Sequence, residues 1–94
     1  MIPQKVKSKI ETLLKITENG ELSWGYNEQN SKVWVSYEDL QWEISYHFNE
    51  NYEEGQFNLT ITKDGQDHYF SARESEVGYD CVKDLYDSAQ ASDL

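Results

Sequence analysis

The sequence predicts an α+β domain of two layers, an antiparallel meander sheet with both helices on one face, in the order α-β-β-β-β-β-α. Three observations predict it. Near both ends of the chain, apolar residues recur at three- and four-residue spacing, which indicates amphipathic helices. Between these stretches, apolar and polar residues alternate with the period of a half-buried strand. Short polar turns separate the alternating runs, and a length of 94 residues predicts a single domain over residues 1–94.

The first helix is predicted over residues 3–18. Pro3 suits the first turn of a helix, because its fixed φ is helical and no amide bond is lost there. Asn19 and Gly20 tolerate the left-handed conformation that commonly ends a helix. The apolar stripe that should face the sheet consists of Ile2, Val6, Ile10, Leu13, Leu14 and Thr17.

Three alternating runs follow the helix, and the third of them changes phase. The first run contains Leu22, Trp24 and Tyr26, and the second contains Val33, Val35 and Tyr37. The third run has its apolar residues at even positions, namely Leu40, Trp42, Ile44, Tyr46 and Phe48. Because a one-residue slip would exchange the two faces of the strand, we expect a bulge, a tight corner or one helical turn near residues 37–39.

A fourth strand, a hairpin and a second helix complete the chain. The fourth strand carries Phe57, Leu59 and Ile61. The Asp64-Gly65 pair predicts a tight turn into a strand over residues 66–73, because both residues accept positive φ. Ser75 is expected to cap a helix over residues 76–91. The buried stripe of this helix would consist of Val77, Cys81, Val82, Leu85 and Ala89.

The charge and composition exclude several classes of protein. The 18 acidic residues outnumber the 8 basic ones, so the net charge is −10 and should repel nucleic-acid backbones. No apolar run approaches the roughly 20 residues that a membrane-spanning helix needs, and the N-terminal segment does not resemble a signal peptide. Cys81 is the single cysteine, which favours a reducing, cytoplasmic location. We therefore expect neither direct nucleic-acid binding nor membrane insertion.

Residues capable of catalysis are few. The two histidines, His47 and His68, fall on opposite faces of the predicted sheet, and Cys81 falls on an apolar helix stripe. The glycines are isolated, so no phosphate-binding loop is present in the sequence. We expect a protein that is not an enzyme and that uses no metal and no cofactor.

The predicted second helix presents a candidate binding surface. Four carboxylates at spacings of four, four and three residues would form one acidic ridge, namely Glu76, Asp80, Asp84 and Asp87. Like charges at this spacing destabilise a helix by roughly 0.2–0.5 kcal/mol per pair, so the arrangement has a cost that a binding function would explain. The alternative is a solvated helix face that Lys83 partly neutralises.

Two further features indicate a binding surface. The loop over residues 49–55 surrounds Tyr52 with Glu50, Glu53 and Glu54, an aromatic anchor among carboxylates. The alternative is that Tyr52 folds back on a sheet edge. Trp34 falls on the face opposite Val33 and Val35, where an exposed ring suggests a partner. The alternative there is that another segment folds over the ring.

These features predict a protein that acts by binding a basic protein partner. The largest basic surfaces in a cell bind nucleic acid, and carboxylates at fixed spacing can imitate phosphates. We therefore expect an inhibitor of a nuclease or another nucleic-acid-binding protein, of the kind represented by immunity proteins and by phage inhibitors of restriction or CRISPR systems. The alternative is a non-catalytic assembly module, such as a homodimer or a complex subunit, whose acidity only maintains solubility.

Overall fold

The computed structural model describes residues 2–92 and contains two helices and five strands. They are α1 (Gln4–Glu18), β1 (Gly25–Asn27), β2 (Lys32–Tyr37), β3 (Leu40–Asn49), β4 (Glu54–Lys63), β5 (Gln66–Arg73) and α2 (Tyr79–Gln90). The strands pair antiparallel in sequence order, which leaves β1 and β5 as the two edges of the sheet. The predicted α+β class and the meander topology are confirmed.

One hydrophobic core lies between the sheet and the two helices. Ile10 and Leu13 of α1 and Val82 and Leu85 of α2 are buried in it. The sheet contributes the alternating residues of its inner face, namely Val33, Val35, Trp42, Ile44, Phe57, Leu59 and Ile61. Because both helices bury their apolar stripes against this inner face, the outer face of the sheet remains uncovered, as the sequence predicts.

The change of phase between the second and third runs is a tight corner. Tyr37 pairs with Leu40, so the hairpin loop contains only Glu38 and Asp39. Both loop residues have positive φ, 48° and 65°, as a two-residue turn that follows the strand twist requires. Such a turn places odd positions of β2 and even positions of β3 on the same face. The predicted Asp64-Gly65 hairpin is confirmed with the same geometry, since Lys63 pairs with Gln66.

The predicted start of the second helix is wrong. The helix begins at Tyr79 rather than at residue 76, and Ser75 does not cap it. Gly78 occupies the N-cap position with φ 101°, a conformation that glycine adopts without strain. Residues 74–78 instead carry the chain from the end of β5 to the helical layer. Val77, predicted to be buried, lies in this connection and is 81% exposed.

The first predicted strand is also shorter than the alternation suggested. Leu22 and Trp24 precede β1, which begins at Gly25. Trp24 is buried, its indole Nε1–H donates to Thr17 Oγ1 at 3.0 Å, and its backbone amide donates to Ser92 Oγ at 2.8 Å. Trp24 therefore joins the ends of both helices to the start of the sheet, a role that strand periodicity does not predict.

Candidate functional site

Two acidic segments that are separate in the sequence meet at one end of the sheet. The loop over residues 50–53 joins β3 to β4, and residues 74–78 leave the end of β5 beside it. The two segments, the first residue of β4 and the first turn of α2 together carry six carboxylates, namely Glu50, Glu53, Glu54, Glu74, Glu76 and Asp80. We refer to these six residues, together with Phe48, Tyr52, Arg73 and Val77, as the acidic corner.

Hydrogen bonds hold the two segments together. The backbone amide of Gly55 donates to Glu74 Oε1 at 2.6 Å, and the amide of Glu74 donates to the Gly55 carbonyl oxygen at 3.1 Å. The Ser75 hydroxyl donates to Glu54 Oε1 at 2.7 Å. Two of the acidic side chains, Glu54 and Glu74, thus have structural roles inside the corner, and they fix the position of the loop relative to the approach to α2.

Arg73 is the cation at the centre of the acidic corner. Its Nε lies 3.5 Å from Glu76 Oε1 and 3.9 Å from Glu54 Oε1. Its guanidinium carbon lies 3.6 Å from the centroid of the Tyr52 ring, in a cation–π contact. Tyr52 therefore does fold back on an edge strand, the alternative considered above, yet its side chain remains 61% exposed. One guanidinium offsets six carboxylates only in part, so the corner keeps a net negative charge.

Glu76 is held in its ionised form. The backbone amide of Arg73 donates to Glu76 Oε1 at 2.9 Å, and this bond, more than the nearby guanidinium, lowers the pKa of Glu76 below its usual value. Burial acts in the opposite direction but is the weaker effect. The side chain thus closes the turn after β5 and contributes a permanent negative charge at neutral pH.

Exposed apolar side chains lie among these carboxylates. Phe48 is 57% exposed, Tyr52 is 61% exposed and Val77 is 81% exposed. Phe48 pairs with Gly55 at the end of β3 on the inner side of the sheet, where its ring stays in solvent. Periodicity assigned Phe48 and Val77 to the core and therefore missed both as surface residues. For Val77 the sequence did contain an indication of exposure, because the adjacent Gly78 interrupts the helical pattern.

The acidic ridge on α2 is shorter than predicted. Asp80, Asp84 and Asp87 are exposed on the helix, but Glu76 precedes it and binds Arg73 instead. Asp80 lies in the first turn, where the helix dipole favours negative charge. Lys83 Nζ lies 2.8 Å from Asp87 Oδ2, so one of the three carboxylates is neutralised on the helix itself.

Trp34 lies on the outer face of the sheet, away from the acidic corner. It is 43% exposed and points away from Val33 and Val35, as the sequence predicts. Its indole packs over its cross-strand neighbour Gly25, where a Cβ atom would collide with the ring. Tyr69, in the same cross-strand row and 73% exposed, donates its hydroxyl to Asp67 Oδ2 at 3.1 Å. The outer face thus has two aromatic rings on a polar surface.

The histidines and the cysteine do not form a shared site. His47 lies on the outer face, with Nδ1 3.0 Å from Asn58 Nδ2, whereas His68 lies on the inner face and pairs with Ile61. Burial raises the pKa of the half-buried Cys81 thiol, which disfavours the reactive thiolate. Within residues 2–92, no group of three or more His, Cys, Asp or Glu side chains is arranged to hold a metal ion.

The two helices differ from membrane-spanning helices in length and composition. Neither α1 nor α2 is long and apolar enough to cross a membrane. Comparison of the chain with protein-family models, with curated proteins and with solved structures gave no match in any of the three.

Proposed function

We propose that the protein binds a basic surface of another protein through the acidic corner and the neighbouring carboxylates of α2, and thereby inhibits a nucleic-acid-binding protein such as a nuclease. The observation that supports this proposal is the composition of the acidic corner. Its exposed apolar side chains, Phe48, Tyr52 and Val77, lie among six carboxylates and a single guanidinium. Apolar anchors give affinity at the centre of an interface, while surrounding charges select the partner.

Electrostatics favours fast binding to a basic partner. A net charge of −10 attracts positively charged surfaces over a distance set by ionic strength, with a screening length of about 8 Å at physiological salt. The hydrogen bonds of Glu54 and Glu74 hold the corner in one arrangement before binding, which lowers the entropy that is lost on association. Carboxylates held at fixed positions are suited to a surface that normally binds phosphates.

The proposal is also consistent with the small number of residues capable of catalysis and with the single cysteine. A protein that acts by occupying another protein needs no metal, cofactor or catalytic group. Immunity proteins and phage inhibitors of restriction or CRISPR systems act in this way as classes, and the proposal rests on charge and site chemistry rather than on relatedness to them. A single cysteine is compatible with the cytoplasm, where such targets operate, so we propose that location as well.

The experiment compares three forms of the protein as baits in host lysate at about 0.1 M and 0.5 M salt, concentrations between which the screening length falls about twofold. The forms are the wild type, a corner variant with Glu50→Lys and Glu53→Lys, and a control variant with Glu11→Lys and Glu18→Lys on α1. All four substituted side chains are exposed, and both variants change the net charge equally. Each captured protein is then purified, and its nuclease or nucleic-acid-binding activity is measured with and without the wild type.

We expect the wild type and the control variant to capture a basic protein at low salt, to release it at high salt and to inhibit its activity. The corner variant should neither capture this protein nor inhibit its activity. Equal capture by the corner variant and the control variant would show that net charge, not the acidic corner, drives binding. Capture without inhibition would refute the inhibitory role.

A second candidate function is assembly of the protein with copies of itself through the outer face of the sheet. Trp34 supports it, because a ring that is 43% exposed on an uncovered sheet face is a suitable contact for another copy. Sedimentation velocity at about 0.1 M and 0.5 M salt distinguishes the candidates, because screening affects charge contacts more than aromatic ones. A dimer that resists salt and is lost on Trp34→Ala would favour assembly.

A further inference from the structure

A groove lined by cations lies at the opposite end of the sheet from the acidic corner. It runs between α1 and the hairpin of β4 and β5 and has a volume of about 250 Å³. Three lysines and one histidine line it together with four apolar residues: Lys5, Lys9, Lys63, His68, Val6, Leu40, Ile61 and Phe70. We refer to this site as the lysine groove. Two of its lining residues, Leu40 and Lys63, pair where β3 begins, whereas the acidic corner lies where β3 ends.

Among residues 2–92, no carboxylate lies within 4.0 Å of the ammonium groups of Lys5, Lys9 or Lys63. In the part of the chain that the structure describes, the carboxylates within 4.0 Å of a lysine or arginine are bound to Lys32, Arg73 and Lys83. Lys5 and Lys9 stand one helical turn apart, an arrangement that mildly destabilises a helix because the charges repel. No carboxylate lines the groove, although the chain carries 18 acidic residues.

A second cavity adjoins the groove, and one of its lining residues carries an unused hydrogen-bond donor. This cavity of about 160 Å³ shares Lys9 and Leu40 with the groove and is lined also by Trp42 and by one carboxylate, Glu38. The indole Nε1–H of the buried Trp42 has no acceptor among residues 2–92. Buried donors usually have partners, so this one requires an explanation. Together the two cavities reach the lower end of the roughly 300–1,000 Å³ typical of small-molecule sites.

We propose that the lysine groove binds a small amphipathic carboxylate, an aliphatic or aromatic chain that ends in one acid group. Charge complementarity selects the occupant, since lysine ammonium groups at the rim match a carboxylate, and the apolar floor of Val6, Leu40 and Phe70 matches a hydrocarbon body. A carboxylate held by Lys9, which the two cavities share, would also bring acceptor oxygens towards the adjoining cavity that Trp42 lines. A second copy of this chain fits less well, because two molecules of charge −10 repel each other. This site is independent of the function proposed for the acidic corner.

The experiment titrates octanoate, below the concentration at which it forms micelles, into protein labelled with ¹⁵N. We expect saturable shifts of the backbone amides of Val6 and Phe70 and of the Trp42 indole resonance, with the Trp34 indole resonance unchanged. Lys9→Gln should raise the Kd about two- to fivefold, the effect of removing one exposed ion pair. Lys15→Gln is the matched control, since Lys15 is exposed on the same helix and does not line the groove, so its Kd should equal that of the wild type.

Several outcomes would overturn the proposal. Equal affinity for octanoate and for neutral 1-octanol would show that the lysines play no part. Shifts confined to the outer face, or an equal loss of affinity in Lys9→Gln and Lys15→Gln, would place the site elsewhere or leave only a net-charge effect. Sedimentation of the same samples tests for a second copy in the groove, which would appear as a dimer that octanoate dissociates. Shifts that increase linearly without saturation would show that no site exists.

Discussion

The guanidinium of Arg73 lies over the ring of Tyr52, with 3.6 Å between the guanidinium carbon and the ring centroid. This contact fastens the loop after β3 to the end of β5, and Arg73 at the same time lies beside Glu54 and Glu76. A tyrosine that would otherwise move with its loop is therefore held at a defined place among carboxylates. Arg73 thus adds side-chain contacts to the hydrogen bonds of Glu54 and Glu74 that hold the acidic corner.

Arg73→Ala should accordingly lower the free energy of unfolding by about 1–2 kcal/mol. The loss combines a cation–π contact, worth roughly 0.5–1 kcal/mol, with ion pairs worth roughly 0.2–1 kcal/mol each. Urea denaturation measures the change. Lys83→Ala is the control, because it removes one exposed ion pair on α2 and should lower the free energy of unfolding much less than Arg73→Ala does. Equal losses in the two variants would contradict the central role of Arg73.

Gly25→Ala tests the packing of Trp34 on β1. An added Cβ would collide with the indole, so we expect the variant to be destabilised by about 1 kcal/mol or more, as overpacked sites usually are. In a Trp34→Ala background the same substitution should be neutral or stabilising by roughly 0.4–1 kcal/mol, because alanine restricts the unfolded chain. The four proteins form a double-mutant cycle measured by urea denaturation. A coupling energy near zero would show that the two residues do not interact.

Thr17→Val should destabilise the protein through a buried hydrogen bond. Valine has the shape of threonine but leaves the Trp24 indole Nε1–H without its acceptor, at an expected loss of about 1–3 kcal/mol. Thr12→Val is the matched control, since the Thr12 hydroxyl donates to the Ser8 carbonyl oxygen on the exposed side of the same helix. Thermal and urea denaturation measure both variants. If Thr17→Val is no less stable than Thr12→Val, the bond contributes nothing.

Stability should also depend on the ionisation of Glu76. Its pKa is lower in the folded protein than its usual value, mainly because the Arg73 amide donates to the carboxylate. The folded state therefore binds the proton less readily than the unfolded state. The resulting stability is complete above the unfolded-state pKa, about 4.3 for glutamate, and is lost as pH falls through the lower folded value.

Glu76→Gln should consequently be less stable than the wild type at pH 7, and the difference should shrink as the solution is acidified through this range. Urea denaturation at a series of pH values measures it. Glu50→Gln, an exposed carboxylate of the same corner, is the control and should follow the wild type closely. A difference between Glu76→Gln and the wild type that stays constant with pH would indicate a purely steric effect.

Sequence patterns predicted most of the fold because the features concerned are local. Helical spacing identified α1 and three of the four buried residues of α2, missing Tyr86, and alternation identified the inner face of β2, β3 and β4. The Asp64-Gly65 turn was predictable because its conformation depends on the two turn residues themselves. The predictions failed at the start of α2 and at the start of β1, where specific side-chain contacts outweigh the periodic pattern. Glu76 binds Arg73 instead of extending the helix, and Trp24 binds Thr17 instead of joining a strand.

The candidate site was predictable only in its parts. The acidic residues of the loop and Glu76 were identified separately, Glu74 was not, and the pattern left open whether Tyr52 and Trp34 are covered. Their meeting at one corner, through pairs about twenty residues apart such as Gly55 with Glu74, could not be foreseen. The exposure of Phe48 and Val77 was also missed, because alternation assigns a side chain to a face but does not say how far the helices cover that face.

The sequence by itself determined the order of the elements, the residues that face inward and the overall negative charge. These properties depend on composition and on spacing along the chain. Both are independent of the contacts that the residues make in the folded protein. Only the tertiary structure decided which end of the inner sheet face the helices leave exposed, which acidic segments lie together and where lysines line a groove. The reason is physical: these properties arise from distances between residues far apart in the chain, and packing of the helices against the sheet sets those distances.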